Sequence, residues 1–212
     1  MIQCRGCNSL ERGRLIALHL EKLQLPAEAR VLHIAPEEGI WRLLGGRSEI
    51  AEYTIADYSP ELYTFATCNK IDLCNLESWP SKSYDLIIHS HVLEHTRCNI
   101  AYTLFHLHRM LTPAGRHIFI IPFTSGSYDE SFQKMTVEER TRRFGQWDHL
   151  RRFGLDDVND HVGKIVHMPV ECDIEAKYGR DVLEQANIPE KLWRGLNGCT
   201  VIDLGKHDYL LG

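Results

Sequence analysis

Two histidines and a glutamate lie in one short run, His91-Val92-Leu93-Glu94-His95, which follows the apolar segment 84–89 after a single serine, Ser90. On a helix, H-x-x-E-H would place two imidazoles on one face beside a glutamate, which is the donor set of a zinc hydrolase. Because the run begins where a buried strand ends, the sequence favours a strand-edge loop with no bound metal. A zinc metallohydrolase using His91, Glu94 and His95 remains the alternative.

A second set of polar residues lies nearer the N-terminus. The apolar run Val31-Leu32-His33-Ile34 leads into the loop Ala35-Pro36-Glu37-Glu38-Gly39, and the next strand-like run, 53–57, ends on Asp57. Strand, loop, helix, strand and acid form the layout of a nucleotide-binding half of a doubly wound sheet. In that layout backbone N–H groups approach the ligand, and the acid accepts hydrogen bonds from ribose hydroxyls.

The loop after Ile34 lacks the glycines of a dinucleotide site, since Ala35 and Glu37 stand at the comparable positions. Glu37 and Glu38 would repel the phosphates of a dinucleotide. A ligand with adenine, ribose and positive charge fits better, and S-adenosylmethionine carries both a sulfonium and an ammonium group. The predicted cofactor is therefore S-adenosylmethionine. A non-catalytic Rossmann-like binding domain is the second alternative, because fold does not imply function.

The elements that must position these residues alternate along the chain. Strand patterns cover residues 31–34, 53–57, 84–89 and 116–121, and helix patterns cover 39–44, 61–66 and 99–111. A turn is predicted at 112–115, closing strands at 164–168 and 200–204, and a helix at about 180–186. The predicted fold is a doubly wound, mostly parallel Rossmann-like sheet with an antiparallel last strand and an insertion after the fifth strand. The loops after residues 34, 57, 71 and 89 should converge at one edge.

The alternation breaks between residues 122 and 161. A capping box opens a helix at Thr136, Gly145 ends it, and a run of polar and aromatic residues follows. This insertion is predicted to be a lid or acceptor pocket over the ligand edge. Its candidate acceptor-binding residues are Trp147, Arg151 and Arg152, and its candidate general base is His149, alongside His91. The open alternatives are a solvated arginine face and purely structural histidines.

Composition sets broader limits on the molecule. The 212 residues are 43% hydrophobic and 25% charged, which predicts a single domain over 1–212 that begins with a cysteine-containing leader and helix, 1–25. A net charge of −5 argues against a nucleic-acid or membrane-surface binder and favours a small-molecule acceptor. No bilayer-length apolar run or signal peptide is visible, so the expected location is cytoplasmic. The oligomeric state is not indicated.

The number and spacing of the cysteines predict their redox state. The chain has 7 cysteines, and an odd number scattered over a chain of this length favours reduced thiols. Cys4-Arg5-Gly6-Cys7 supplies only half of a tetrahedral zinc site, so two thiols without metal are favoured there. Asn8 and Glu11 are predicted to cap the first helix.

Taken together, these residues resemble the class I S-adenosylmethionine-dependent methyltransferases over nearly the whole chain. Residues 31–37 stand where that family has its first glycine-rich motif, and 84–95 and 107–115 resemble its fourth-strand motif and the helix and turn that follow. Asp57 matches its ribose-binding acid, and Asp72-Leu73 its adenine-side motif. The resemblance implies methyl transfer to an oxygen, nitrogen or sulfur nucleophile of a small molecule.

The resemblance also implies a set of cofactor contacts. The first motif departs from the family pattern in two respects. His33 replaces the usual acid of the first motif, and Ala35 and Glu37 replace glycines. The cysteine leader is similar to that of some bacterial members. The implied cofactor-binding residues are His33, Ala35, Pro36, Glu37, Asp57, Tyr58, Asp72, Leu73, His89 and Ser90.

Overall fold

Strands and helices alternate through the first half of the chain. The computed structural model describes residues 3–4 and 9–210. The helices are α1 (Glu11–Lys22), α2 (Glu38–Gly45), α3 (Ile100–Met110), α4 (Val137–Phe144), α5 (Val158–His161), α6 (Ile174–Tyr178) and α7 (Arg180–Gln185). The strands are β1 (Ala29–Ile34), β2 (Ile50–Asp57), β3 (Asn69–Lys70), β4 (Tyr84–Ser90), β5 (Leu111–Ile120), β6 (Phe123–Thr124), β7 (Asp129–Glu130), β8 (Arg151–Gly154) and β9 (Ile202–Leu204).

The main sheet has six strands in the order β3-β2-β1-β4-β5-β9. The first five are parallel, and β9 runs antiparallel to β5. This confirms the predicted Rossmann-like sheet with an antiparallel last strand. The strand order reverses beside β1, since the chain places β2 and β3 on one side and β4 and β5 on the other. In open α/β sheets, ligands bind at such a switch point, outside the carboxyl ends of the strands.

Both faces of the sheet are covered, as a parallel sheet requires. Successive side chains of a strand point to opposite faces. Val31 accordingly packs against Ile16 of α1 and Ile40 of α2, whereas Leu32 belongs to a second cluster that includes Leu104 of α3. The apolar run 31–34 is therefore buried on both sides, and its loop is left at the sheet edge.

The insertion follows β5 as predicted. It contains a small sheet in the order β6-β8-β7 and helix α4. The Thr136 capping box is present, and Gly145 ends α4 with a φ of 89°, a conformation that glycine adopts without strain. The backbone N–H of Leu150 donates to the carbonyl of Glu94 at 2.8 Å. The insertion is thus tied directly to the loop after β4.

Three local predictions are wrong. The predicted helix at 61–66 is reduced to a single 3-10 turn, Pro60–Leu62. The predicted strand at 164–168 makes only an isolated bridge from Val166, because the apolar residues Val162, Ile165 and Val166 follow helical spacing and begin with a 3-10 turn. The predicted turn at 112–115 lies inside β5, as a register irregularity opposite β4.

The first helix and the cysteines also differ from expectation. Helix α1 begins at Glu11 with Leu10 as its N-cap; the predicted cap Asn8, like Cys7, lies outside the described residues. Cys74 and Cys98 form a disulfide, because the loops after β3 and before α3 bring their Cα atoms to 5.4 Å. The expectation of reduced thiols is therefore wrong for this pair, since a cysteine count cannot report which loops meet; Cys4, Cys68, Cys172 and Cys199 are free. No helix of the described ranges is long and apolar enough to span a bilayer.

Candidate active site

A cavity of about 620 Å³ opens at the switch point, between the loops that follow β1, β2, β3 and β4. The loops predicted to converge therefore do so. Six residues of the predicted site line this cavity: Ala35, Asp57, Tyr58, Asp72, Leu73 and His91.

Two tight turns shape the cavity on either side of the switch point. Ala35 at the end of β1 has a φ of 50°, and His91 at the end of β4 has a φ of 54°. This left-handed region is costly for residues other than glycine, and such strain is concentrated at functional sites. The Ala35 N–H donates to the carbonyl of Ala56 at 2.9 Å, which holds the turn against β2.

Asp57 marks one end of the cavity. One carboxylate oxygen accepts the Ser59 N–H at 2.6 Å, and the other accepts the Tyr63 hydroxyl at 2.9 Å. Each oxygen of an ionised carboxylate has about two lone-pair sites, so both retain capacity for another donor. The carboxylate is held in place and can still bind a pair of hydroxyl groups.

Asp72 lies at the next loop and is fixed in a similar way. Its oxygens accept the Cys74 N–H at 2.9 Å and the Asn75 side-chain amide at 2.6 Å. Leu73 beside it is 6% exposed and presents an apolar wall. Cys74 and Asn75 also line the cavity but were missed from sequence, because only the disulfide and the hydrogen bond to Asp72 place them there.

Beside His91 and His95, which line the opposite end of the cavity, lies the buried carboxyl of Glu94, which is not itself part of the cavity wall. Glu94 is 0% exposed, and neither of its carboxylate oxygens has a hydrogen-bond partner within the described part of the chain. Burial raises the pKa of Glu94 to about 8, although its own backbone N–H and the charges of Arg12 and Arg151 act in the opposite direction. Buried polar groups without partners are rare in folded proteins and call for an explanation.

His91 is held by the last loop of the chain. Its Nε2 is 2.7 Å from the Gly198 carbonyl, which can only accept, so Nε2 carries the proton and Nδ1 keeps a lone pair. That Nδ1 lies 3.5 Å from Glu94. Burial lowers the pKa of His91 to about 4, so the ring is neutral near pH 7. The run 91–95 contains only a 3-10 turn, Leu93–His95, so the helical face that the zinc hydrolase motif needs is not formed.

His95 and Asp148 complete this end of the cavity. His95 Nδ1 lies 3.3 Å from Asp148, and the His149 ring contacts His95 edge to face with centroids 4.8 Å apart. Burial lowers the pKa of both histidines. The insertion thus brings the predicted residue His149 beside the loop after β4. Asp148 was missed as a site residue, and His95 was predicted only as a ligand of the alternative zinc hydrolase, because the sequence does not show which side chains of the insertion meet the loop after β4.

Several predicted cofactor residues lie away from the cavity lining. His33 is 2% exposed, and its Nδ1 is 2.9 Å from the Tyr53 hydroxyl. His89 is fully buried, with Nε2 2.9 Å from Nε2 of His117. Glu37 lies 3.4 Å from Arg12. The other two, Pro36 and Ser90, adjoin lining residues but are not part of the cavity wall.

The predicted acceptor-binding residues of the insertion are likewise not in the cavity wall. Arg151 is 0% exposed, and its guanidinium donates to Glu130 at 2.8 Å and to backbone carbonyls at Leu93 and Cys98. These partners occupy the donors that an anionic acceptor would need. Trp147 is 61% exposed, and Arg152 donates to the Ser127 carbonyl at 3.2 Å.

A family model described as a methyltransferase domain matches residues 9–161. No curated protein sequence gives a significant match. A solved complex between the Haloferax volcanii Trm112 methyltransferase activator and a protein described as a methyltransferase is similar at 13% identity and a TM-score of 0.52, over 76% of this chain and 70% of that one.

Two further solved structures are less similar. An S-adenosylmethionine-dependent methyltransferase from Mesorhizobium loti has 16% identity and a TM-score of 0.44, over 60% of this chain and 63% of that one. The YcgJ protein of Bacillus subtilis has 14% identity and a TM-score of 0.48, over 84% of this chain and 80% of that one. The family match spans well over half of the chain, and the sheet has the topology expected of that family. The chain therefore belongs to the class I, S-adenosylmethionine-dependent methyltransferase family.

Proposed function

We propose that this protein transfers a methyl group from S-adenosylmethionine to an oxygen, nitrogen or sulfur nucleophile of a small molecule. The observation that carries the proposal is the cavity at the switch point, with Asp57 at one end and His91, His95 and Asp148 at the other. One cavity thereby offers a nucleoside site and a separate polar site for an acceptor.

The residues present fit the cofactor. The volume of about 620 Å³ lies within the usual range for small-ligand pockets. Asp57 has lone pairs for two ribose hydroxyls, and Leu73 with Asp72 offers an apolar wall and an acceptor for an adenine amino group. When bound, the cofactor supplies a methyl group on a positively charged sulfur, which a nucleophile displaces in line.

The chain's own residues then orient the acceptor and exclude water. His91 is proposed to orient the acceptor, because its Nδ1 offers a lone pair while Nε2 is held by Gly198. With a pKa of about 4, this ring is a weak base near pH 7. His95 is the stronger candidate for a general base, since Asp148 lies beside its Nδ1 and can stabilise the protonated ring.

The test uses calorimetry with S-adenosylhomocysteine on Asp57→Ala. Loss of two charge-assisted hydrogen bonds should weaken binding by about 2–4 kcal/mol, which is roughly a 30- to 1,000-fold increase in Kd. Asp160→Ala is the matched control, because that side chain is 76% exposed and lies outside the cavity lining. Unchanged affinity in folded Asp57→Ala protein, or binding of NADH in place of S-adenosylhomocysteine, would overturn the proposal.

A further inference from the structure

Glu94, His95 and His149 form a cluster that methyl transfer by itself does not require. One ligand atom from each residue lies within 4.8 Å of the other two. Glu94 and His95 come from the loop after β4, and His149 comes from the insertion. The cluster therefore exists only in the folded chain.

The carboxyl of Glu94 is the feature that most needs an explanation. Its nearest ring nitrogens are His91 Nδ1 at 3.5 Å and His95 Nε2 at 3.9 Å, both too far for a good hydrogen bond. An unpaired buried carboxyl is costly in either protonation state. The positive charges of Arg12 and Arg151 favour the ionised form of Glu94 but do not offset its burial, which raises its pKa to about 8. A cation bound between the carboxylate and the rings would supply the missing partner.

The two histidines are oriented as metal ligands usually are. A metal-bound histidine characteristically donates its second ring N–H to a carboxylate or a backbone carbonyl. Nδ1 of His95 lies 3.3 Å from the Asp148 carboxylate, and Nδ1 of His149 lies 3.2 Å from the Phe144 carbonyl. In both rings Nδ1 then carries the proton, which leaves the Nε2 lone pair for a ligand.

We propose that the Glu94 carboxylate and the Nε2 atoms of His95 and His149 bind a divalent metal ion of the zinc class. Two imidazoles and one carboxylate make a three-ligand set of the catalytic type, which leaves a position open for a further ligand. Building on the proposed function, we assign that position to a hydroxyl or thiol group of the methyl acceptor. Such an ion would lower the pKa of a bound O–H or S–H group and so favour the nucleophilic form. It would replace the general-base role of His95, whose Nε2 is then a ligand.

This site differs from the H-x-x-E-H motif of the sequence. His91 is not among the residues whose ligand atoms lie within 4.8 Å of one another, which are Glu94, His95 and His149. His149 takes its place. The prediction of no metal considered residues 91–95 alone, and nothing in that run indicates that a histidine of the insertion lies against it.

The test measures zinc binding directly, in protein carrying Cys4→Ser and Cys7→Ser so that the thiol pair cannot compete. After treatment with a chelator, titration with zinc should give one ion per chain. Glu94→Gln and His149→Ala should each weaken binding by at least about tenfold, and Asp148→Asn by about 10- to 100-fold. His207→Ala, whose side chain is 81% exposed, should match the parent. Cobalt substituted for zinc should give visible absorption bands in the parent that Glu94→Gln loses.

Binding of S-adenosylhomocysteine is measured on the same samples, so that the two proposals fail separately. Absence of zinc binding, or unchanged zinc binding in both Glu94→Gln and His149→Ala, would overturn the metal proposal whatever the nucleoside result. Absence of nucleoside binding in a protein that holds zinc would overturn the proposed function alone. Circular dichroism confirms folding, and His149→Ala serves as the second variant should Glu94→Gln fail to fold.

Discussion

At the scale of single residues, Ala35 holds a strained backbone conformation at a position where the family has a glycine-rich motif. The family has a glycine-rich motif at this position, and here an alanine adopts the left-handed region that favours glycine, with a φ of 50°. This conformation is held in place by the hydrogen bond from the Ala35 N–H to the Ala56 carbonyl and by the buried strand β1 that precedes it. The turn is thus retained at the expense of stability, since an L-residue in this region is strained.

Ala35→Gly is therefore expected to raise the free energy of unfolding by about 1 kcal/mol, because the strain is relieved. Ala51→Gly in β2 is the control: Ala51 is exposed and lies in an ordinary strand, so its replacement should lower stability by about 0.5–1 kcal/mol. Chemical denaturation of both variants gives the comparison. Equal destabilisation by the two glycines would show that Ala35 is not strained.

At the scale of elements, Arg151 joins the insertion to the main sheet. From β8 it donates to Leu93, Thr96 and Cys98 in the segment that leads from β4 to α3, and it pairs with Glu130 of β7. This holds the insertion over the cavity and places His149 beside His95. A residue that sequence reasoning assigned to the acceptor instead positions an element.

Arg151→Leu should lower the free energy of unfolding by about 3 kcal/mol, because several buried carbonyls and a carboxylate lose their donor. Arg152→Leu, one residue along the same strand, loses a single exposed hydrogen bond and should change stability by less than about 1 kcal/mol. Denaturant titration of both proteins decides this. Comparable losses would mean that Arg151 does not anchor the insertion.

The features that could be predicted from sequence are those set by local pattern, and the features that were missed depend on contacts between distant segments. Asp57 and Asp72 were found because each follows a short apolar run, and local pattern places strand ends at a common edge. The pairing of Cys74 with Cys98, and of His95 with Asp148 and His149, depends on contacts between distant loops. The prediction of a strand at 164–168 was wrong because a short apolar run is compatible with both the helical and the strand period.

At the scale of the whole molecule, neutral histidines are built into the centre of the sheet. His33, His89 and His117 lie on β1, β4 and β5 and are at most 2% exposed. Burial lowers the pKa of His33 and of His89 to about 3, and that of His117 well below its usual value. At pH values between these lowered pKa values and the usual 6.5, the histidines bind protons in the unfolded chain but not in the folded chain. Stability is therefore present above pH 6.5 and is lost as the pH falls.

His33→Gln isolates one of these contributions. As the pH falls below about 6, the parent should lose about 1.4 kcal/mol of stability per pH unit for each buried histidine. The variant lacks one of these histidines, so its loss per pH unit should be smaller by about 1.4 kcal/mol. Glu94 acts in the opposite sense, because its raised pKa makes stability fall as the pH rises from its usual 4.5 to about 8. Parent and variant share Glu94, so the difference between their slopes reports His33.

Denaturation of the parent and His33→Gln at about pH 7, 6 and 5 measures these slopes. His207→Gln is the control and is expected to follow the parent, since that side chain is 81% exposed. Identical slopes for the parent and His33→Gln would mean that His33 is protonated in the folded protein.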